Sequence, residues 1–145
     1  MNAEVIRGIT VRALRGGETE VVQAVFDRLG PRSRQLRFGG AKNVLLPREL
    51  ELLARVDGDH HVLVAYDGRE PVGIARLVRD GREAEVAFAV ADDWQRKGVG
   101  TLLADRLAAD ARAAGIVRVH CEVRADNTPS RSLCRRLKSA MPAAA

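Results

Sequence analysis

No stretch of this chain approaches the ~18 consecutive apolar residues that mark a membrane-spanning helix, so no membrane partner is expected. The opening residues, Met1 to Gly8, lack the apolar core of a secretory signal. Cysteine is scarce: Cys121 and Cys134 have neither a metal-ligand spacing nor the density of a disulfide framework. A cytoplasmic setting is therefore expected. Internal repeats and linkers are also missing, and the last five residues, Met-Pro-Ala-Ala-Ala, read as a frayed tail. Aromatics are few where nucleic acid would need them. The basic stretch from Arg28 to Arg48 holds only Phe38, which is no stacking platform for bases. Nucleic acid is not expected as a partner.

What remains describes one globular domain over residues 1–145, with 46% hydrophobic and 30% charged residues. The formal net charge is +5. The excess is uneven. Arg28, Arg32, Arg34, Arg37, Lys42 and Arg48 fall in one segment without an acid. Such a run could draw in an acidic surface or phosphates, or be a solvated, arginine-rich connection.

Periodicity divides the chain as follows. Residues 5–14 read as a strand, broken by Gly16-Gly17. Residues 18–29 place Val21, Val22, Val25, Phe26 and Leu29 at helical spacing, and Gly30-Pro31 stops that helix. Residues 47–56 form a second helix with Pro47 in its first turn. Strands at 61–66 and 71–78 flank an Asp67-Gly68 turn, and Asp80-Gly81 leads into a strand at 84–90. A long helix at 99–114, with Val99, Leu102, Leu103, Leu107, Ala111 and Ala114 as its buried stripe, ends at Gly115. A strand at 116–124 and a helix at 129–138 follow. The order β-α-α-β-β-β-α-β-α predicts an α/β domain with a mixed sheet.

The most informative stretch runs from Glu85 to Leu103. Along the strand at 84–90, Ala84, Val86, Phe88 and Val90 share one face. Glu85, Ala87 and Ala89 share the other, where small side chains leave room beside one carboxylate. Gln95-Arg-Lys-Gly98-Val-Gly100 then forms a glycine loop at a helix start. Free N–H groups at a helix N-terminus suit a phosphate or pyrophosphate, and glycines let backbone approach it closely. The P-loop pattern fails because Lys97 precedes Gly98. The dinucleotide fingerprint fails because Leu103 stands where a third small residue belongs.

The pattern Gln/Arg-x-x-Gly-x-Gly/Ala after an Ala-Glu-hydrophobic strand is met by Gln95, Gly98 and Gly100. It resembles the GNAT superfamily of N-acyltransferases, which bind the acetyl-CoA pyrophosphate at this loop. The block Arg124-Ala-Asp-Asn127-Thr-Pro-Ser130-Arg-Ser-Leu-Cys-Arg-Arg-Leu137 is similar to the segment closing the far side of that cleft. The resemblance covers roughly residues 4 to 138. Ser33-Arg-Gln-Leu-Arg-Phe-Gly-Gly-Ala-Lys-Asn43, with residues 49–64 after it, further resembles the acyltransferase domain of bacterial protein-lysine acetyltransferases. The implied fold is a mostly antiparallel mixed sheet flanked by helices. The implied chemistry is transfer of acetyl from acetyl-CoA, as acyl-donor substrate, to a primary amine, with a protein lysine as leading acceptor.

The resemblance also implies roles. Glu85 is the general base: a partly desolvated carboxylate has a raised pKa nearer the operating pH, and water can relay the proton. The rival reading is an exposed strand glutamate, or one paired with Arg118 or another cation. Phe88, Ala89 and Val90 supply backbone N–H groups from a splayed strand. Gln95, Arg96, Lys97, Gly98, Val99, Gly100 and Thr101 hold the pyrophosphate. Asn127 and Ser130 contact the pantetheine arm or cap the last helix. No metal is implied, and His60, His61 and His120 have no ligand spacing.

Two departures stand out. Many family members carry a tyrosine in the last helix as acid for the leaving thiolate; here the position is Cys134, a weak donor or a small buried hydrophobe. Members also continue with Gly-Phe and two more strands, whereas here seven residues follow Lys138. The 116–124 strand then becomes a sheet edge, and either a neighbouring subunit in a homodimer would replace the missing hairpin or the cleft would be partly open. Two rival functions follow: a non-catalytic acyl-CoA-binding regulatory module, and a small-molecule amine acetyltransferase. Acceptor choice is expected to lie in the irregular segment from Arg28 to Arg48.

Overall fold

A computed structural model describes residues 8–38, 42–121 and 128–142. The elements in chain order are β1 (Ile9–Ala13), α1 (Thr19–Asp27), α2 (Pro31–Phe38), α3 (Pro47–Leu53), β2 (His60–Asp67), β3 (Glu70–Asp80), β4 (Glu83–Val90), α4 (Val99–Ala113), β5 (Arg118–His120) and α5 (Thr128–Ser139). A short 3-10 turn, Asp92–Trp94, precedes α4. The strands form one open sheet in the order β1-β2-β3-β4-β5. The first four pair antiparallel, and β4 and β5 pair parallel. This is the mixed, mostly antiparallel sheet that the sequence predicts.

The alternation in the central strands divides the core between two faces. Val62 and Val64 of β2 join Leu14, Val21, Val22 and Phe26 beneath α1 and α3. Leu63 and Ala65 point the other way, joining Val86, Phe88, Leu103, Leu107 and Val119 beneath α4 and α5. Strand β2 is apolar on both faces because helices cover both. The α4 stripe differs slightly from its prediction. Ala104 and Ala108 are buried, Leu102 is half-buried and Ala114 is exposed.

One helix was not expected. Pro31 reads as a stop, yet it opens α2, since proline's missing N–H costs nothing in a first turn. Helix α2 has no fully buried residue, and its sequence PRSRQLRF has no apolar stripe to reveal it. The segment from Arg28 to Arg48 is therefore not irregular throughout. Nor is it a freely solvated charge run: Arg28 pairs with Glu70 and Lys42 with Glu49. Arg34 stacks 4.1 Å from the Phe26 ring centre. It also donates to the Phe26 and Asn43 carbonyls.

A second correction concerns cysteine. Cys121 and Cys134 form a disulfide, with Cα atoms 6.2 Å apart. Helix α5 folds back against β5, bringing together two residues that spacing alone could not relate. Cys134 therefore carries no S–H to donate. The bond closes a loop of 13 residues, which in the chain-entropy picture stabilises by about 3 kcal/mol. Urea denaturation with and without dithiothreitol should show a loss of that size on reduction. Identical curves would mean that the two sulfurs are not linked.

Candidate active site

The site is organised around the outer edge of β4. Strand β4 pairs with β3 from Glu83 to Val90. With β5 it pairs only at Glu83, Ala84 and Glu85, opposite Arg118, Val119 and His120. Beyond Glu85 its outer edge has no ladder partner among the described residues. A cleft of about 320 Å³ opens there. Phe88, Ala89 and Val90 form one wall, the turn into α4 forms the floor, and Pro129, Ser130, Ser132 and Leu133 of α5 form the far wall. Leu29, Ser33, Leu36 and Arg37 close it from the α2 side.

The turn has an unusual backbone. Arg96 has φ 62° and Gly98 has φ 92°, both in the left-handed region. For arginine this conformation costs about 1–2 kcal/mol, a strain that clusters at functional sites. Alternating left- and right-handed residues gather successive N–H groups into an anion-binding hollow. Helix α4 begins immediately afterwards, with no side chain capping its N-terminus and no acid in its first turn. The first-turn N–H groups and the positive end of the helix dipole thus point at the cleft without a built-in carboxylate. These donors fit a pyrophosphate. The apolar Leu29, Leu36, Phe88 and Leu133 fit an aliphatic arm.

Of the residues assigned from sequence, Phe88, Ala89, Val90, Gln95, Arg96, Gly98, Gly100, Thr101 and Ser130 line this cleft. Lys97, Val99 and the expected base Glu85 do not. The Lys97 ammonium stands 5.2 Å from the Trp94 ring centre, and Val99 is fully buried in the core. Asn127 lies outside the described residues. Gly100 has a role that spacing could not reveal: a Cβ there would stand 2.8 Å from Leu133 Cδ1. Its missing side chain lets α5 approach α4 rather than letting a ligand approach the loop.

Gln95 is a brace as well as a wall. Its amide nitrogen donates to the Val90 carbonyl at 3.0 Å and to Ser33 Oγ at 3.1 Å. The Ser33 hydroxyl donates to Asp92 Oδ1 at 2.6 Å, and Gly30 N–H donates to Asp92 Oδ2 at 3.0 Å. Asp92 thereby caps α2 and fixes it to the end of β4. Sequence reasoning missed Asp92, Ser33 and Trp94. The single tryptophan directly before the loop was the available signal.

Glu85 is exposed, not partly desolvated as expected. It makes no hydrogen bond and no ion pair among the described residues. The partner proposed for it, Arg118, belongs to Glu83, which also meets His120 Nε2 at 2.7 Å. In a two-residue repeat Glu83 and Glu85 share a face, and although His120 stands opposite Glu85 its ring turns to Glu83. His60 pairs with Asp57 and His61 with Asp110. Tyr66 accepts from Arg12 Nη2 at 2.7 Å, away from the cleft. No group of three His, Cys, Asp or Glu residues among the described residues could hold a metal.

This fold and cleft define an acyltransferase domain, and the chain belongs to the acetyltransferase (GNAT) family, whose profile matches residues 32–138. It is 39% identical over 94 residues to "Acetyltransferase Pat" of Mycolicibacterium smegmatis, covering 61% of this chain and 28% of that protein. It is 30% identical over 135 residues to "Acetyltransferase PA5475" of Pseudomonas aeruginosa, covering 88% and 73%. Among solved structures, the GNAT domain of S. lividans PAT superposes with a TM-score of 0.81 at 28% identity, covering 88% of this chain and 78% of that one. The chain thus spans little more than a quarter of the mycobacterial relative.

The left-handed turn makes a direct prediction. Gly98→Ala should cost about 1–2 kcal/mol of unfolding free energy, and Gly98→Asn less, because asparagine tolerates this region better. Urea denaturation of the three proteins checks it. Equal stabilities would contradict the backbone described here.

Proposed function

We propose that this domain transfers acetyl from acetyl-CoA to a primary amine, a protein lysine ε-amine first among them, with Glu85 as general base. The observation that carries this reading is the place of Glu85 on β4, the strand whose Phe88, Ala89 and Val90 form a wall of the cleft. Its carboxylate has no partner among the described residues, although it does not itself line the cleft. Bound acetyl-CoA supplies the thioester. The α4 N-terminus and the turn at Arg96–Gly98 hold the pyrophosphate by backbone N–H groups and the helix dipole. The open edge of β4 at Phe88, Ala89 and Val90 offers backbone donors beside the acyl group, where charge develops on the carbonyl oxygen.

An attacking amine must be neutral. Glu85, exposed and unpaired, receives its proton directly or through water. The leaving thiolate takes its proton from solvent, since the Cys134 sulfur is bonded to Cys121. The relatives named Pat support a protein acceptor, and the cytoplasm is the setting we propose. No helix among the described residues is long and apolar enough to cross a membrane. The missing thiol donor favours a second reading, a non-catalytic acyl-CoA-binding module.

Glu85→Gln separates the two. The first reading predicts that kcat falls on the order of 10²–10⁴-fold, while the acetyl-CoA Kd, read by calorimetry, stays within about twofold. Unchanged turnover would remove Glu85 from the mechanism. Wild-type protein that binds acetyl-CoA yet acetylates no amine would favour the second reading.

A further inference from the structure

Beside Glu85, two arginines lack the anion that their surroundings call for. Arg76 of β3 stands opposite Ala87 of β4, and Val78 stands opposite Glu85. Arg76 is therefore the diagonal neighbour of Glu85 on the same face of the sheet, about 7–8 Å away along the backbone. Arg37, in the last turn of α2, reaches the same place from above. The two guanidinium groups line a small, mainly apolar pocket among Val25, Phe26, Leu53 and Ile74. Its free space is about 30 Å³, room for a carboxylate or two waters but not for a side chain.

Other arginines of this protein face carboxylates. Arg12 holds Glu18, Arg28 holds Glu70 and Arg136 holds Asp105. Arg37 and Arg76 are half-buried and form no ion pair among the described residues. There Arg76 donates only to the Leu52 carbonyl, at a long 3.4 Å, and its buried Nε has no partner. Arg37 makes no hydrogen bond among the described residues and lies 4.9 Å from the Phe38 ring centre. Burial pushes both guanidinium groups below their ordinary pKa; Arg76 pushes Arg37 further down, and Glu85 opposes both shifts. Two neighbouring, partly desolvated cations with spare donors are costly unless an anion joins them. The bidentate geometry of guanidinium suits a carboxylate.

We propose that Arg37 and Arg76 bind a carboxylate of the acyl acceptor, so that the preferred acceptor is an amine accompanied by a carboxylate about one diagonal strand spacing away. This rests on the acyltransferase reading of Glu85. Arg37 also borders the cleft for the acyl donor, whereas Arg76 borders only the small pocket. Arg76 is therefore the residue to test.

The test is calorimetric titration of CoA-saturated protein, in which no transfer can occur. One arm compares Nα-acetyl-lysine with its uncharged amide. The other compares the blocked dipeptides acetyl-Glu-Lys-amide and acetyl-Gln-Lys-amide. A preference in the first arm points to a free amino acid, and in the second to a residue flanking a protein lysine. The charged ligand should bind roughly 10- to 100-fold more tightly in at least one arm. Arg76→Gln should erase that preference while leaving CoA affinity and the neutral ligand unchanged, and Arg76→Lys should restore part of it. Arg76→Met should melt no lower than the wild type, because relieving a desolvated, unpaired cation offsets the one long hydrogen bond to Leu52. Equal or absent binding in both arms, or a preference that survives Arg76→Gln, would overturn the proposal. Failure of Glu85 as base would appear in turnover alone and leave this binding preference intact.

Discussion

The constraint on which the site depends is the brief pairing of β4 with β5. Among the described residues three pairs hold the strands together, the last of them at Glu85. A strand edge inside a sheet is normally covered, because unpaired backbone groups are costly when buried and sticky when exposed. Here α5 lies across the gap, tied to the end of β5 by the Cys121–Cys134 bond. The close approach of α5 to α4 at Gly100 sets the width of the cleft. On the opposite side, Asp92 and Gln95 fasten α2 to the end of β4. The cleft is thus a gap framed by three separate ties, and none of its walls depends on a ligand to hold it.

The electrostatics follow from the same arrangement. The cleft floor is a helix N-terminus without a cap, so its donors remain available to an anion. On the face of the sheet beneath α2, Glu85 stands free at the strand end while Arg37 and Arg76 sit half-buried nearby. Some charges elsewhere are paired: Glu18 is held below the usual carboxylate range by Arg12 and then by the Arg15 backbone N–H, and Glu49 by Lys42. Arg37 and Arg76 instead sit without an ion pair among the described residues, close to where a substrate amine and its neighbours would lie. Local instability at a binding site, offset by packing elsewhere, is a common arrangement.

Much of this was legible in the chain because local period carries it. The alternation of Ala84, Val86 and Phe88 against Glu85, Ala87 and Ala89 marks both faces of β4, and Gly98 marks the turn into α4. What could not be read depends on contacts across the fold. Helix α2 has no apolar stripe and begins at a proline that also reads as a stop. The disulfide joins residues whose proximity depends on how α5 packs. Glu83 and Glu85 look alike in the sequence, and only the side-chain contacts of the folded sheet give both Arg118 and His120 to the first. Gly100 fits a ligand-binding pattern, yet its immediate neighbour is Leu133. The exposure of Glu85 likewise depends on what packs over its face of the sheet, which no local pattern reports.

The most direct test of the account is calorimetric titration of the purified chain with acetyl-CoA, with CoA alongside. If the open edge of β4 and the uncapped α4 together form the donor site, both should bind with micromolar affinity and one site per chain. Absence of binding by either would contradict the account, because a cleft framed within this chain and supplied with free backbone donors would then have no acyl-CoA to hold.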